Sequence, residues 1–149
     1  MNNDIVLFLD VDGVLNQYDT HERIRRCKKL KYNSECMNPF TKKVLRLSKI
    51  VKQHNIDVYV FSAWSLDDLQ KFLPFKLKGD TRKNIKNVNT ISLQYKHSIL
   101  IDDELLAYEA RYGEINVNKK LQPHYEYGFC KKDAVILENH IKMILRRKM

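Results

Sequence analysis

Several protein classes are excluded by what this sequence lacks. Its three cysteines, Cys27, Cys36 and Cys130, are odd in number and include no Cys-x-x-Cys pair, so neither a disulfide framework nor a zinc site is indicated. They read as reduced thiols of a cytoplasmic protein. No apolar run approaches the roughly 18 residues that span a bilayer, and no charged N-terminal region precedes a long apolar one, so no membrane partner is expected. Internal repeats, low-complexity tracts and long linkers are also missing. Acids are scarce: 18 stand against 27 lysines and arginines, for a formal charge of +9. That balance favours polyanionic partners, nucleic acid first, by attraction and counterion release, although a solvated basic surface would account for it as well. At 149 residues the chain is expected to form one domain, 1–149, with a core of its own and no room for a separate substrate-covering domain.

The remaining sequence is organised around strand ends. Ile5 to Leu9 is an uninterrupted apolar run that stops at Asp10 and Asp12, with Gly13 behind them; a run this apolar fits a strand covered on both faces. A polar stretch, 17–38, follows as a basic flap or loop insertion carrying Arg23, Arg25, Arg26, Lys28, Lys29 and Lys31. Apolar spacing after Pro39 predicts a helix to about His54. Ile56 to Phe61 is β-branched and aromatic, a second strand, and it ends in Ser62-Ala63-Trp64; Ser65 is placed to cap a helix through Leu73. The basic segment 74–96 is expected to hold short helices at 81–88 and 89–95. Ser98 to Ile101 is a third apolar run, halted by Asp102-Asp103-Glu104. A helix over 105–111, a short strand over 114–117 and a final amphipathic helix over 132–147 complete the reading.

Strands alternating with helices imply right-handed crossovers and a mostly parallel sheet, here a Rossmann-like three-layer α/β/α sandwich. Asp10, Asp12, Ser62, Asp102 and Asp103 would then meet along one sheet edge. Carboxylates gathered so closely repel one another unless a cation joins them. Mg²⁺, a hard cation that prefers oxygen and completes its shell with water and substrate phosphate, suits them. Asp and Gly also open turns routinely, and the first strand taken alone leaves both readings open.

Asp10-Val-Asp12-Gly13-Val14, Ser62 at a strand end and Ile99-Leu-Ile-Asp102-Asp103 resemble the first, second and fourth motifs of the haloacid dehalogenase (HAD) superfamily. The resemblance extends more narrowly to the small HAD phosphatases, without a large cap domain, that are associated with RNA-repair proteins, on Phe40, Leu47, Ser62-Ala63-Trp64 and Gly128-Phe129. It implies Asp10 as nucleophile, Asp12 as general acid and base, and Ser62 as a phosphate ligand. It places Mg²⁺ on Asp10, the main-chain carbonyl of Val11 or Asp12, and Asp103, with Asp102 supporting. An acid two residues after the nucleophile favours phosphoryl transfer over dehalogenation.

The third-motif lysine is contested by Lys78, Lys83, Lys86 and Lys96; Lys86 is preferred as opening a helix, with Lys83 second. Trp64 would stack a base or pack in the core. Arg23, Arg25 and Arg26 would contact substrate. Asn16 would brace the first loop or form a turn. The expected function is a Mg²⁺-dependent phosphomonoesterase with an aspartyl-phosphate intermediate, acting on phosphorylated nucleic-acid ends or nucleotides. A small-metabolite phosphatase and a non-catalytic nucleic-acid-binding or interaction module are the alternatives.

Overall fold

The described residues of the computed structural model, 3–15, 41–124 and 128–146, form in chain order β1 (Ile5–Leu9), α1 (Thr41–His54), β2 (Asp57–Val60), α2 (Leu66–Gln70), β3 (Gly79–Asp80), α3 (Ile85–Ser92), β4 (His97–Ile101), α4 (Leu105–Tyr112), β5 (Lys119–Leu121) and α5 (Lys131–Arg146). The strands make one parallel sheet in the order β3-β2-β1-β4-β5. Parallel neighbours need crossover connections, and these lay helices on both faces of the sheet. The result is the Rossmann-like three-layer α/β/α architecture expected from the alternation of elements. Among the described residues there is no separate cap domain.

The two faces follow from the period of two along each strand. Ile5, Leu7, Leu9, Ile99 and Ile101 point to one side, where Leu47 and Ile50 of α1 and Leu137 and Ile141 of α5 cover them. Val6, Phe8 and Leu100 point to the other and meet Val88 of α3, Leu105 of α4 and Ile115. With both faces covered, every residue of β1 is buried. That burial explains why its sequence is continuously apolar rather than alternating.

Local chemistry sets the element ends. Ser65 Oγ accepts a hydrogen bond from Asp68 N at 3.2 Å and so caps α2. Asp133 Oδ2 accepts from Cys130 N at 3.1 Å, occupying one of the unpaired donors at the start of α5. Immediately before it, Phe129 N donates to Val14 O at 2.6 Å, and Arg46 Nη1 donates to Phe129 O at 3.0 Å. At Gly128, φ is +63°, and an added Cβ would press on Val14 O. The glycine lets the chain run against the loop that follows β1, which is thereby braced by α5 and α1.

Two expectations are corrected. The region 81–95 holds one helix, α3, capped by Asn84, whose side chain accepts from Asn87 N. The strand expected at 114–117 is absent; Ile115 is buried as part of a loop, and ladder pairing begins only with β5 at Lys119. Lysines on this edge strand fit its half-exposed position. The two-residue β3 was not foreseen. Residues 17–38 with Arg23, Arg25 and Arg26, and also Asn16, Pro39 and Phe40, lie outside the described residues.

Candidate active site

Strand β1 is flanked by β2 on one side and, on the opposite side, by β4, which the chain reaches only after it has completed β2 and β3. The crevice between β1 and β4 is therefore the topological switch point of the sheet, the place where parallel α/β folds leave room for a ligand. Leu9 is in register with Ile101, Asp10 N donates to Ile101 O at 3.0 Å, and Asp102 N donates to Leu121 O at 3.1 Å. Both strands thus stop at the same level and deliver their acids into that crevice. Asp10, Asp102 and Asp103 are buried, and each offers a carboxylate oxygen within 4.8 Å of those of the other two.

Gly13 makes this approach possible. Its φ is +82°, and a Cβ there would overlap the Asp103 carboxylate. Only glycine meets both demands at once. The turn itself is closed by Val14 N and Leu15 N, which donate to Val11 O at 3.1 and 2.8 Å. The Val11 carbonyl is thereby committed to the turn.

Lys83 meets the acids. Lys83 Nζ lies 2.5 Å from Asp102 Oδ2 and 3.3 Å from Asp10 Oδ1, packed 4.4 Å from the Phe61 ring centroid and 5.1 Å from that of Tyr108. It arrives on a loop with two consecutive left-handed residues, Arg82 (φ +54°) and Lys83 (φ +57°), a conformation costly for side chains other than glycine. The loop is held by its neighbours. Thr81 Oγ1 donates to Val60 O at 2.7 Å, Asp80 Oδ1 accepts from Arg82 N at 2.8 Å, Asn87 Nδ2 donates to Thr81 O at 3.0 Å, and the Tyr108 hydroxyl donates to Lys83 O. Lys86, the lysine preferred from sequence, is exposed on the first turn of α3. Lys86 does open the helix, but Lys83, one residue before the Asn84 N-cap, stays in the strand-end loop and is the lysine that reaches the acids.

Ser62 is buried one residue beyond Phe61, whose N–H donates to Leu9 O at 2.8 Å. Its Oγ accepts from Trp64 N at 2.9 Å. Trp64 does not present a stacking face: it is 4 % exposed, packs edge-on against Phe72, and its Nε1–H donates to Asp12 Oδ1 at 3.1 Å. Of the two readings of this residue, packing in the core is the one the structure shows, and the indole also tethers the β1 and β2 loops. Asp12 itself is half-buried.

Electrostatics follow from this packing. Burial first, then the charge of Asp102 and a hydrogen bond with Asp103, push the Asp10 carboxyl well above its ordinary value, and Lys83 only partly opposes them. Burial pulls the Lys83 ammonium down, but Asp10 and Asp102 outweigh it and the net shift is upward. Among the described residues, the Lys83 ammonium is shared by Asp10 and Asp102, and the three buried carboxylates together carry more negative charge than it can offset. An oxygen-only donor set with that deficit fits a hard divalent cation such as Mg²⁺.

Asp10, Asp12, Ser62, Asp102 and Asp103 are thus at adjoining strand ends, joined there by Lys83 and by Trp64 in a different capacity. Tyr108 and Thr81 were missed; neither belongs to a motif, and each acts through the Lys83 loop. The family described as "HAD domain in Swiss Army Knife RNA repair proteins" matches residues 6–115, from β1 to just past α4. No curated protein and no solved structure matches the chain.

Proposed function

Because the chain belongs to the family of HAD domains in Swiss Army Knife RNA repair proteins, we propose that it is a Mg²⁺-dependent phosphomonoesterase acting on phosphorylated nucleic-acid ends. The observation that carries this reading is the buried Asp10, Asp102 and Asp103 cluster with Lys83 at the switch point of the sheet. In this proposal 1–149 is one catalytic domain.

Asp10 attacks phosphorus through its carboxylate, forming an aspartyl-phosphate and splitting one difficult displacement into two easier ones. Asp12, aimed by the Trp64 indole, donates a proton to the leaving alcohol oxygen and then takes one from the water that cleaves the aspartyl-phosphate. Ser62 and Lys83 hold the phosphoryl oxygens as negative charge accumulates on them. Asp102, with Oδ2 on Lys83 and Oδ1 accepting from Glu104 N at 2.7 Å, keeps the lysine in place. Mg²⁺ would be held by Asp10, Asp103 and a main-chain carbonyl, with Asp102 supporting; since Val11 O closes the turn, Asp12 O is the favoured carbonyl. When bound, the cation supplies charge neutralisation and Lewis-acid stabilisation of the transferring phosphoryl group.

The test is release of inorganic phosphate from RNA oligonucleotides bearing 3′- or 5′-phosphates, with and without Mg²⁺. Hydrolysis should require Mg²⁺ and fall by at least about 10³-fold in Asp10→Asn. Turnover of sugar phosphates with none of oligonucleotides would refute the substrate assignment, and full activity of Asp10→Asn would refute the mechanism.

A further inference from the structure

Beside the carboxylates, on the sheet face covered by α3 and α4, lies a groove of about 500 Å³. Ligand sites commonly have volumes of roughly 300–1,000 Å³. Its walls are cationic and aromatic, with Arg82, Lys83 and Lys86 on one side and Tyr108 and Tyr112 on the other. Tyr112 is 56 % exposed, on the last turn of α4. Its ring packs on Tyr108 with centroids 4.6 Å apart, and the Arg111 guanidinium lies 5.2 Å from its centroid. Such a ring adds little to the core; it is a supported aromatic platform standing in water among cations.

The groove is joined to the carboxylates through Lys83, which lines it and whose ammonium reaches Asp10 and Asp102. Whatever occupies it lies one lysine side chain from the acids. Arg82 is exposed, its left-handed backbone fixed by Asp80. Strain of this kind persists where surrounding contacts enforce it, often to aim a residue at a ligand.

We infer that this groove seats the nucleotide adjoining the terminal phosphate of a single-stranded polynucleotide, with its base on Tyr112 and its phosphodiester paired with Arg82 and Lys86. The inference rests on the phosphatase reading and deepens it. Arginine binds phosphate oxygens in a planar fork, and aromatic stacking tolerates any base because every base has a π-face. A paired base in a blunt duplex has no free face to offer, and a small phosphomonoester leaves the groove unfilled. The site therefore discriminates by what lies behind the phosphate.

Binding is read without turnover by titrating a fluorescein-labelled, terminally phosphorylated single-stranded RNA with Asp10→Asn protein in Mg²⁺ and following anisotropy. Adding Tyr112→Ala should weaken binding about tenfold, whereas Tyr112→Phe, which keeps the ring, should restore it. Arg82→Asn, chosen because asparagine tolerates a left-handed backbone, should weaken binding and reduce the slope of log affinity against log salt by about 0.7. Unchanged affinity in Tyr112→Ala or Arg82→Asn, or equal binding of a blunt duplex, overturns the assignment. With Asp10 intact, Tyr112→Ala should lower the ratio of kcat/KM for RNA to kcat/KM for p-nitrophenyl phosphate about tenfold; a merely structural defect lowers both and leaves the ratio unchanged. If the protein with Asp10 hydrolyses no phosphoester, the phosphatase reading fails, and the anisotropy titration still decides the groove.

Discussion

Asp10 is under two opposed demands. Catalysis by the proposed route needs an ionised carboxylate, while burial beside Asp102 and Asp103 favours the protonated acid. The sign of the stability effect follows. A carboxyl whose folded-state value is raised above the ordinary 3.8 contributes stability that is fully present below that value and lost as pH rises through the folded one. At neutral pH in EDTA, charge on Asp10 therefore opposes folding. Asp10→Asn, which keeps the shape and cannot ionise, should raise the urea-unfolding free energy under those conditions by on the order of 1 kcal/mol, as functional residues replaced for stability commonly do. In Mg²⁺ the ordering should reverse, because a cation that binds only the folded state stabilises it in proportion to affinity, by about 2.7 kcal/mol at a hundredfold excess over Kd, and the variant binds more weakly. A loss of stability for Asp10→Asn in EDTA would show that Lys83 already neutralises the cluster and that no cation is needed.

At the scale of elements, the corner where β2, β3 and α3 meet is set by one acid. Asp57, the first residue of β2, accepts hydrogen bonds from Tyr95 Oη at 2.6 Å, Asn3 Nδ2 at 2.7 Å and Lys78 Nζ at 2.9 Å. Burial alone would raise its carboxyl, but the hydrogen bonds from Tyr95, Lys78 and Asn3 together outweigh it and leave it below its ordinary value. A depressed carboxylate contributes stability above the unfolded value of 3.8 that is lost as pH falls through the folded one. Tyr95→Phe should cost about 1 kcal/mol near pH 7, and the difference from the unaltered chain should shrink as pH falls below that ordinary value; a constant difference in urea midpoint across the range would contradict it. This corner also shows what was legible in the sequence. β1, β2 and β4 were readable because continuous apolar runs stopped at Asp10, Ser62 and Asp102, and abrupt polarity after a buried strand has few structural uses. β3 was not, since two residues, Gly79 and Asp80, carry no period, and Gly79 is required only because a Cβ would press on the Tyr59 ring, a contact distant in sequence. Lys86 does open α3, as its spacing suggests, but the lysine at the acids is Lys83 in the loop before the cap; Asn84, three residues before the amide it caps, is the signal in the sequence that separates the two. Trp64 packs in the core, one of the two readings the sequence leaves open, but its tether to Asp12 spans 52 positions and no local pattern reports it.

At the scale of the whole molecule, the charge of +9 becomes a quantitative claim only with a polymeric substrate. Neutralising a phosphate of a single strand releases counterions, and each such contact contributes about −0.7 to the slope of log affinity against log salt. Three contacts, two in the groove and one more from the basic segment 17–38, predict a slope near −2, so kcat/KM for a phosphorylated oligonucleotide at subsaturating concentration should fall by about an order of magnitude between 50 and 200 mM salt. A small ester such as p-nitrophenyl phosphate makes none of these contacts and should change by less than about twofold over the same interval. Six of the chain's 27 cationic residues lie within 17–38, and exchanging Arg23, Arg25 and Arg26 for glutamine separates their share from that of the groove. If they supply that one contact, the slope for the oligonucleotide should become shallower by about 0.7, while the p-nitrophenyl phosphate rate stays level. An unaltered slope would assign the polymer contacts to Arg82 and Lys86 alone and make the remaining positive charge a matter of solvation rather than recognition. A slope near zero in the unaltered protein would remove the polymer altogether, since no arrangement of paired phosphates on this surface escapes the counterion effect.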